Sequence, residues 1–195
     1  MSDLFWHFLP DDKRLQFPPH TKVVAGETLS IEEEPVICQR GFHASRRAIE
    51  ALQYAPGELV CRVRLGGTII EDEDKVVAQQ RTVVAMADAT RLLHEFACDV
   101  AEECLTQCGV TDERSRKAIA TKRKWIVGHA TNNELDAVRA IARAAAWNAA
   151  RAAAWNAAWN AAWNAARDAA RAAQNEDLER RLLRALQPQP AEEEE

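Results

Sequence analysis

ELVCRVRLGGTII occupies residues 58–70 and is the stretch that decides the fold class of this chain. Apolar residues recur at every second position from Leu59 to Leu65, which is the spacing of a strand with one buried face. Gly66 and Gly67 predict a turn that separates a second short strand, TII (68–70). Similar alternation predicts further strands at LFWHFL (4–9), KVV (22–24), TLSI (28–31), VICQRGFHA (36–44) and RTVVAM (81–86). We therefore expect a mixed or antiparallel sheet of five to seven short strands.

Helical spacing appears once among these strands and then dominates the chain after residue 88. RRAIEALQYA (46–55) predicts a short helix with Ser45 as its N-cap. Two further helices are expected to end at Gly109 and Gly128. A third is expected to begin near residues 131–133, in a stretch that is rich in alanine, the residue with the highest helix propensity.

These patterns predict an α+β fold in which a small sheet with helices is followed by a long Ala/Trp-rich C-terminal helix. The expected parts are a mainly β-sheet part with one short helix (1–88), two helices packed on it (89–130), a long Ala/Trp helical extension (131–186) and a disordered acidic tail (187–195).

Charge and composition exclude several classes of protein. The chain has 195 residues and a formal net charge of −5, with a pI near 5.6, whereas a nucleic-acid binder needs a concentrated basic surface. No apolar run approaches the roughly 18 residues that a membrane span requires, and the first residues do not resemble a secretory leader. We expect a cytoplasmic protein that binds neither membranes nor, directly, nucleic acid.

The five cysteines are an odd number and are expected to be reduced thiols. His94 with Cys98 and Cys104 with Cys108 are spaced i,i+4 and could each contribute two metal ligands. However, the two pairs lie about 240° apart around one helix, so we expect no metal site.

The segment WNAARAAAWNAAWNAAWNAARDAARAAQ (147–174) repeats tryptophan at multiples of four residues. Each step of four advances about 40° around a helix, so the tryptophans form a slanted band that would expose at least about 600 Å² of indole surface. Such an area is expected to be covered by the chain's own domain, by a second copy or by a foreign protein, and these alternatives remain open. The candidate partner-binding residues are Trp147, Arg151, Trp155, Trp159, Trp163 and Arg167.

CQRGFHAS (38–45), the following ALQYAPG and the strand ELVCRVRLGG resemble the part of ADP-ribosyltransferase folds that cradles nicotinamide. The resemblance implies NAD as cofactor and His43 and Tyr54 as the residues that would hold it. It also implies a later glutamate, but the corresponding stretch AQQRTVV holds Gln79 and Gln80, which lack the required charge. Glu71 and Glu73 are the nearest acids. A structural role for His43 in the sheet is the other interpretation.

A wider resemblance covers nearly the whole chain. It is carried by GFHAS (41–45), ALQYAPGELVCRVRLGG (51–67), DKVVAQQRTVV (74–84), MADATRLLHEFACDVAEE (86–103), DERSRKAIATKRKWIVG (112–128) and the Ala/Trp/Arg tail. In combination these resemble an uncharacterised domain family of bacteriophage and prophage genomes.

That resemblance implies a phage-type protein acting inside a bacterium, so the leading expectation is a non-enzymatic interaction protein. It would inhibit a host defence complex, in the manner of an anti-CRISPR protein, through the Ala/Trp helix and acidic surfaces. The alternatives are an NAD-dependent ADP-ribosyltransferase-like enzyme centred on His43 and a structural phage component.

Overall fold

The computed structural model describes residues 4–16, 20–107, 109–141 and 160–187, with the backbone alone in 160–168. Its elements are β1 (Leu4–Leu9), β2 (Thr28–Ser30), β3 (Phe42–Ala44), α1 (Ala48–Gln53), β4 (Leu59–Glu71), β5 (Val76–Asp88), α2 (Thr90–Gln107), α3 (Glu113–Ile126), α4 (132–141) and α5 (Asn160–Ala185). The five strands form one antiparallel sheet, which confirms the predicted α+β class. The expected long Ala/Trp helix spans 131–186, of which α4 and α5 are helical as described and residues 142–159 lie outside the described residues.

The centre of the sheet is a long hairpin formed by β4 and β5. The prediction that Gly66 and Gly67 end a strand is wrong, because β4 continues through both of them to Glu71. Their effect is a register shift between Gly66 and Ile69, and Gly67 takes a φ of +69°, which glycine adopts without strain. The glycines therefore bend one strand where two were expected.

Three of the predicted strands are shorter in the structure than in the sequence pattern, and one of them is β2, which ends at Ser30. Residues 22–24 do not form a strand, and their pairing is limited to one isolated antiparallel bridge between Lys22 and Arg14. In the stretch 36–44 only β3 is extended, because Val36 and Arg40 pair across a tight turn. Strand β3 is therefore a three-residue segment that reaches β5 directly after this turn.

A pair of hydrogen bonds closes the sheet on itself. β1 pairs with β4, β4 with β5, and β5 with β3. Ser45, the residue after β3, exchanges backbone hydrogen bonds of 2.8 and 2.9 Å with Trp6 in β1. The strands β1, β4, β5 and β3 thus form a closed circuit around an interior.

The same contact explains why Ser45 does not cap α1, which corrects the predicted N-cap. The N-cap is Arg47, whose side chain makes no capping hydrogen bond. Instead, the side chains of Asn175 and Glu179, in the last part of α5, accept hydrogen bonds from the first two amides of α1, at 3.1 and 3.0 Å. Residues distant in sequence therefore complete the start of this helix.

The chain divides into two compact units. The first contains the described residues of Met1–Thr90 and Gln174–Glu195, and its core includes Leu178 and Leu182, both fully buried. The second is Arg91–Ala173, in which Asp112 caps α3 by accepting from the Arg114 amide. None of the described helices has the length and apolar character needed to cross a membrane.

Candidate functional site

A cavity of about 420 Å³ lies in the first unit, between β1, β3 and the C-terminal end of α1. Its walls are mostly apolar and include Trp6, Phe8, Leu15, Ile31, Phe42 and Pro56. The side chains of His7, His43, Tyr54, Lys75 and Arg81 add polar groups. This size and this mixture of a largely apolar lining with a few polar groups are typical of small-molecule sites.

Arg81 is the group in this lining that needs the most explanation. Its side chain projects from the middle of β5 into the interior and is 1% exposed. Nη1 donates a hydrogen bond to the His43 carbonyl oxygen at 3.2 Å, and the guanidinium lies 5.4 Å from the centre of the Phe42 ring. Nε and Nη2 have no hydrogen-bond partner among the described residues. Burial lowers the pKa of Arg81 to about 10, so the side chain remains charged at neutral pH.

The titratable groups nearest to Arg81 do not neutralise it. Burial lowers the pKa of His7 well below its usual value, and the positive charge of Arg81 lowers it further, so His7 is neutral at pH 7. Burial raises the pKa of the Cys61 thiol to about 12, so that group is neutral as well. No ion pair joins Arg81 to a carboxylate in the part of the chain that the structure describes. Arg81 therefore places an uncompensated positive charge at the cavity.

His43 lies at the cavity on β3, as a neutral ring held by the backbone. Its Nε2 accepts a hydrogen bond from the Cys38 amide at 2.9 Å, and burial lowers its pKa. The turn that makes this contact depends on Gly41, which has a φ of +111°. A Cβ at Gly41 would lie 2.7 Å from the side chain of Val77, so only glycine fits there.

Tyr54 lies at the end of α1 and is 49% exposed. Its hydroxyl donates to the Asp74 carboxylate at 2.6 Å, and this hydrogen bond raises the pKa of Tyr54. The Lys75 ammonium lies 4.9 Å from the centre of the Tyr54 ring. The structure thus brings Tyr54 and His43, which the sequence singles out together, to the lining of one cavity.

The acids and amides considered for catalysis lie elsewhere. Glu71 pairs with Arg46, and Glu73 is exposed in the turn between β4 and β5. Gln79 is used structurally, because its Oε1 accepts from the Thr68 amide at 2.9 Å. Gln80 is exposed on β5. Among the described residues that line the cavity, none is an aspartate or a glutamate.

Sequence reasoning did not single out His7 and Arg81, although the strand pattern contains a signal for both. His7 shares its face of β1 with Phe5 and Leu9, which are buried, and Arg81 shares its face of β5 with Val83. The sequence signal for both residues is a polar side chain at a position where the alternating pattern of the strand places apolar ones.

Most of the candidate partner-binding residues lie outside the described residues. These are Trp147, Arg151, Trp155 and Trp159. Trp163 and Arg167 belong to α5, and their side chains are not described.

The structure describes three of the four cysteine and histidine residues considered as metal ligands, His94, Cys98 and Cys104, all on α2. Within the described ranges, no three His, Cys, Asp or Glu side chains are grouped so as to hold a metal ion. The ring of His94 packs edge-on against Trp125 at 5.2 Å, and Cys98 is buried, which raises the pKa of its thiol. Cys104 is exposed, and Cys108 lies outside the described residues.

Comparison with known families adds one finding. Residues 12–95 match the model of a domain of unknown function, DUF7666. This similarity agrees with the expected likeness to an uncharacterised family. The match includes His43, Tyr54 and Arg81, whereas β1 with His7 precedes it. No curated protein and no solved structure is detectably similar to the chain.

Proposed function

We propose that this chain is a non-enzymatic binding protein and that the cavity of its first unit holds a small organic ligand with an anionic group. The observation that carries this proposal is Arg81, a buried cation at the cavity with one edge unpaired. A buried charge is strongly unfavourable unless a partner of opposite charge and hydrogen bonds compensate it. Because no carboxylate of the described chain provides that partner, a bound anion is the simplest compensation.

The surroundings of Arg81 favour binding over catalysis. His7 and His43 are both neutral at pH 7 and hydrogen-bonded to the backbone, His7 to His43 and His43 to Cys38. Transfer of ADP-ribose from NAD would require a carboxylate to stabilise an oxocarbenium-like transition state. The lining described above has none, although its two candidate NAD-holding residues, His43 and Tyr54, are present.

Ligand-observed NMR with a set of small aromatic and aliphatic fragments tests the binding proposal. Ala55 lies in the cavity lining, two residues after the end of α1, so Ala55→Trp is expected to fill the cavity and to abolish fragment binding. Ala120→Trp, on an exposed position of α3, is the matched control and should bind as the unaltered protein does. Fragments that bind Ala55→Trp unchanged would contradict the proposal. Transfer of label from labelled NAD to bacterial proteins, lost in His43→Ala, would favour the transferase instead.

A second binding role is proposed for the Ala/Trp segment, because tryptophan recurs there at multiples of four residues over Trp147–Trp163. In this proposal the chain is a phage-type protein of the bacterial cytoplasm, and the indole band is covered by a host defence complex or by a second copy. The exposed acidic residues at 32–34 and 71–73 would add charge to the contact surface.

Substitution is the appropriate test of this second role, because truncation before α5 would remove Leu178 and Leu182 from the core of the first unit. Expression in a bacterium with an active CRISPR–Cas system is expected to raise the plating efficiency of a targeted phage. A variant with alanine at all four tryptophans should lose that effect, and light scattering should show whether it also loses self-association. Equal protection by both proteins would contradict the role of the band.

A further inference from the structure

The unpaired edge of Arg81 has a defined shape. Nη1 is occupied by the His43 carbonyl oxygen, and the two unpaired nitrogens are Nε and Nη2. These two nitrogens form one side of the planar guanidinium, from which two N–H groups point in parallel. Two parallel N–H groups match the two oxygens of a carboxylate, and such paired contacts are short and directional.

The uncompensated positive charge at the cavity would be balanced by a single negative charge on a ligand. Besides Arg81, the cation in the lining is Lys75, which already lies 4.0 Å from an Asp74 oxygen and 3.5 Å from the Tyr54 hydroxyl. His7 is neutral. A phosphate dianion would leave one charge and several acceptor oxygens without partners in this lining, which is costly in a buried site. A carboxylate would use both free nitrogens and leave no excess charge.

The rest of the cavity is suited to a hydrocarbon body. The guanidinium lies over the Phe42 ring, and Trp6, Phe8 and Leu15 contribute further apolar wall. A volume of about 420 Å³ accommodates a fused two-ring aromatic compound or a similar aliphatic chain.

We propose that Arg81 binds the carboxylate of a small, apolar carboxylic acid through Nε and Nη2, and that the hydrocarbon part of this acid fills the cavity. This inference rests on the proposed binding function and specifies the chemical class of its ligand.

Isothermal titration calorimetry with naphthalene-2-carboxylate and its neutral isostere 2-naphthamide tests the inference. The acid is expected to bind at least about tenfold more tightly than the amide, since only the acid compensates the guanidinium. In Arg81→Met the preference for the acid should disappear. Arg62→Met is the matched control, because Arg62 also has two buried nitrogens without a partner but does not line the cavity. That variant should keep the preference.

The outcomes separate this inference from the broader function. If the amide binds as tightly as the acid, or if Arg81→Met retains the preference, the carboxylate assignment is wrong while the cavity remains a binding site. If inorganic phosphate displaces the acid at lower concentration than acetate does, the ligand class is wrong. If neither naphthalene compound binds to protein that circular dichroism shows to be folded, both proposals are contradicted.

Discussion

Replacement of Arg81 by methionine is expected to stabilise the ligand-free protein. Methionine is an unbranched apolar side chain that adapts to irregular spaces, so it can occupy the volume of the arginine stem. The change removes a charge that is 1% exposed and has no carboxylate partner in the described chain. A residue kept at a cost to stability is typical of a functional site.

The magnitude follows from the pKa of Arg81, which burial lowers from 12.5 to about 10. A difference of roughly 2.5 units corresponds to about 3 kcal/mol at 1.36 kcal/mol per unit. Loss of the hydrogen bond from Arg81 Nη1 to the His43 carbonyl oxygen offsets about 1 kcal/mol of this gain in stability. The cost is no larger because the His43 backbone keeps its hydrogen bond with the His7 ring. Arg81→Met is therefore expected to raise the free energy of unfolding by about 2 kcal/mol at pH 7.

The gain in the free energy of unfolding of Arg81→Met is also expected to depend on pH. The folded pKa of Arg81 lies below the unfolded value, so the unfavourable effect of the charge is fully present below about pH 10. It decreases as the pH rises through about 10, where the folded side chain begins to lose its proton. The difference in stability between Arg81→Met and the unaltered protein should therefore be constant near neutrality and smaller above pH 10.

Urea unfolding followed by far-UV circular dichroism measures this difference in stability. The comparison requires that the unfolding free energy of both proteins falls with urea concentration at the same slope. Arg62→Met is the control. Arg62 lies 4.1 Å from the centre of the Trp6 ring and is attracted by Glu179, so its replacement should bring no gain in stability. A loss of stability in Arg81→Met at pH 7 would refute the reasoning, because it would show that the guanidinium is compensated within the folded chain.

Three further substitutions test how the fold supports the cavity. Gly41→Ala is expected to reduce the free energy of unfolding by at least about 2 kcal/mol, because a Cβ there meets a side chain at 2.7 Å; Gly26→Ala has open space and should lose less in the same urea titration. Leu182→Ala, at a fully buried position of α5, should cost about 2–5 kcal/mol, whereas Leu183→Ala, 46% exposed, should cost well under 1 kcal/mol by thermal unfolding. Asn175→Ala should cost about 1 kcal/mol by losing the hydrogen bond to the first turn of α1, and an unchanged unfolding midpoint would show that this contact is unimportant.

The strands were predictable where one face of the sheet is apolar over several residues. LFWHFL became β1 with the predicted bounds, and RTVVAM became the central part of β5. The error at Gly66 and Gly67 has a physical reason. Paired glycines are typical of turns, but a pairing partner can carry hydrogen bonds past them when the register shifts, as β5 does here.

The site was less predictable than the sheet, because long-range contacts assemble it. The alternation of apolar and polar residues places Arg81 on the apolar face of β5. It does not show which residues face Arg81 across the interior of the sheet. That depends on the closure of the sheet between Trp6 and Ser45, which are far apart in sequence. The start of α1 likewise depends on Asn175 and Glu179, whose role no local capping pattern indicates.

A crystal structure of the protein with 6-bromonaphthalene-2-carboxylate tests the central claim most directly, since anomalous scattering locates the bromine. The carboxylate oxygens are expected at about 2.7–2.9 Å from Nε and Nη2 of Arg81, with the rings in the cavity against Phe42. An empty cavity with the ligand bound elsewhere, or an Arg81 edge paired with a carboxylate of the protein itself, would contradict the claim.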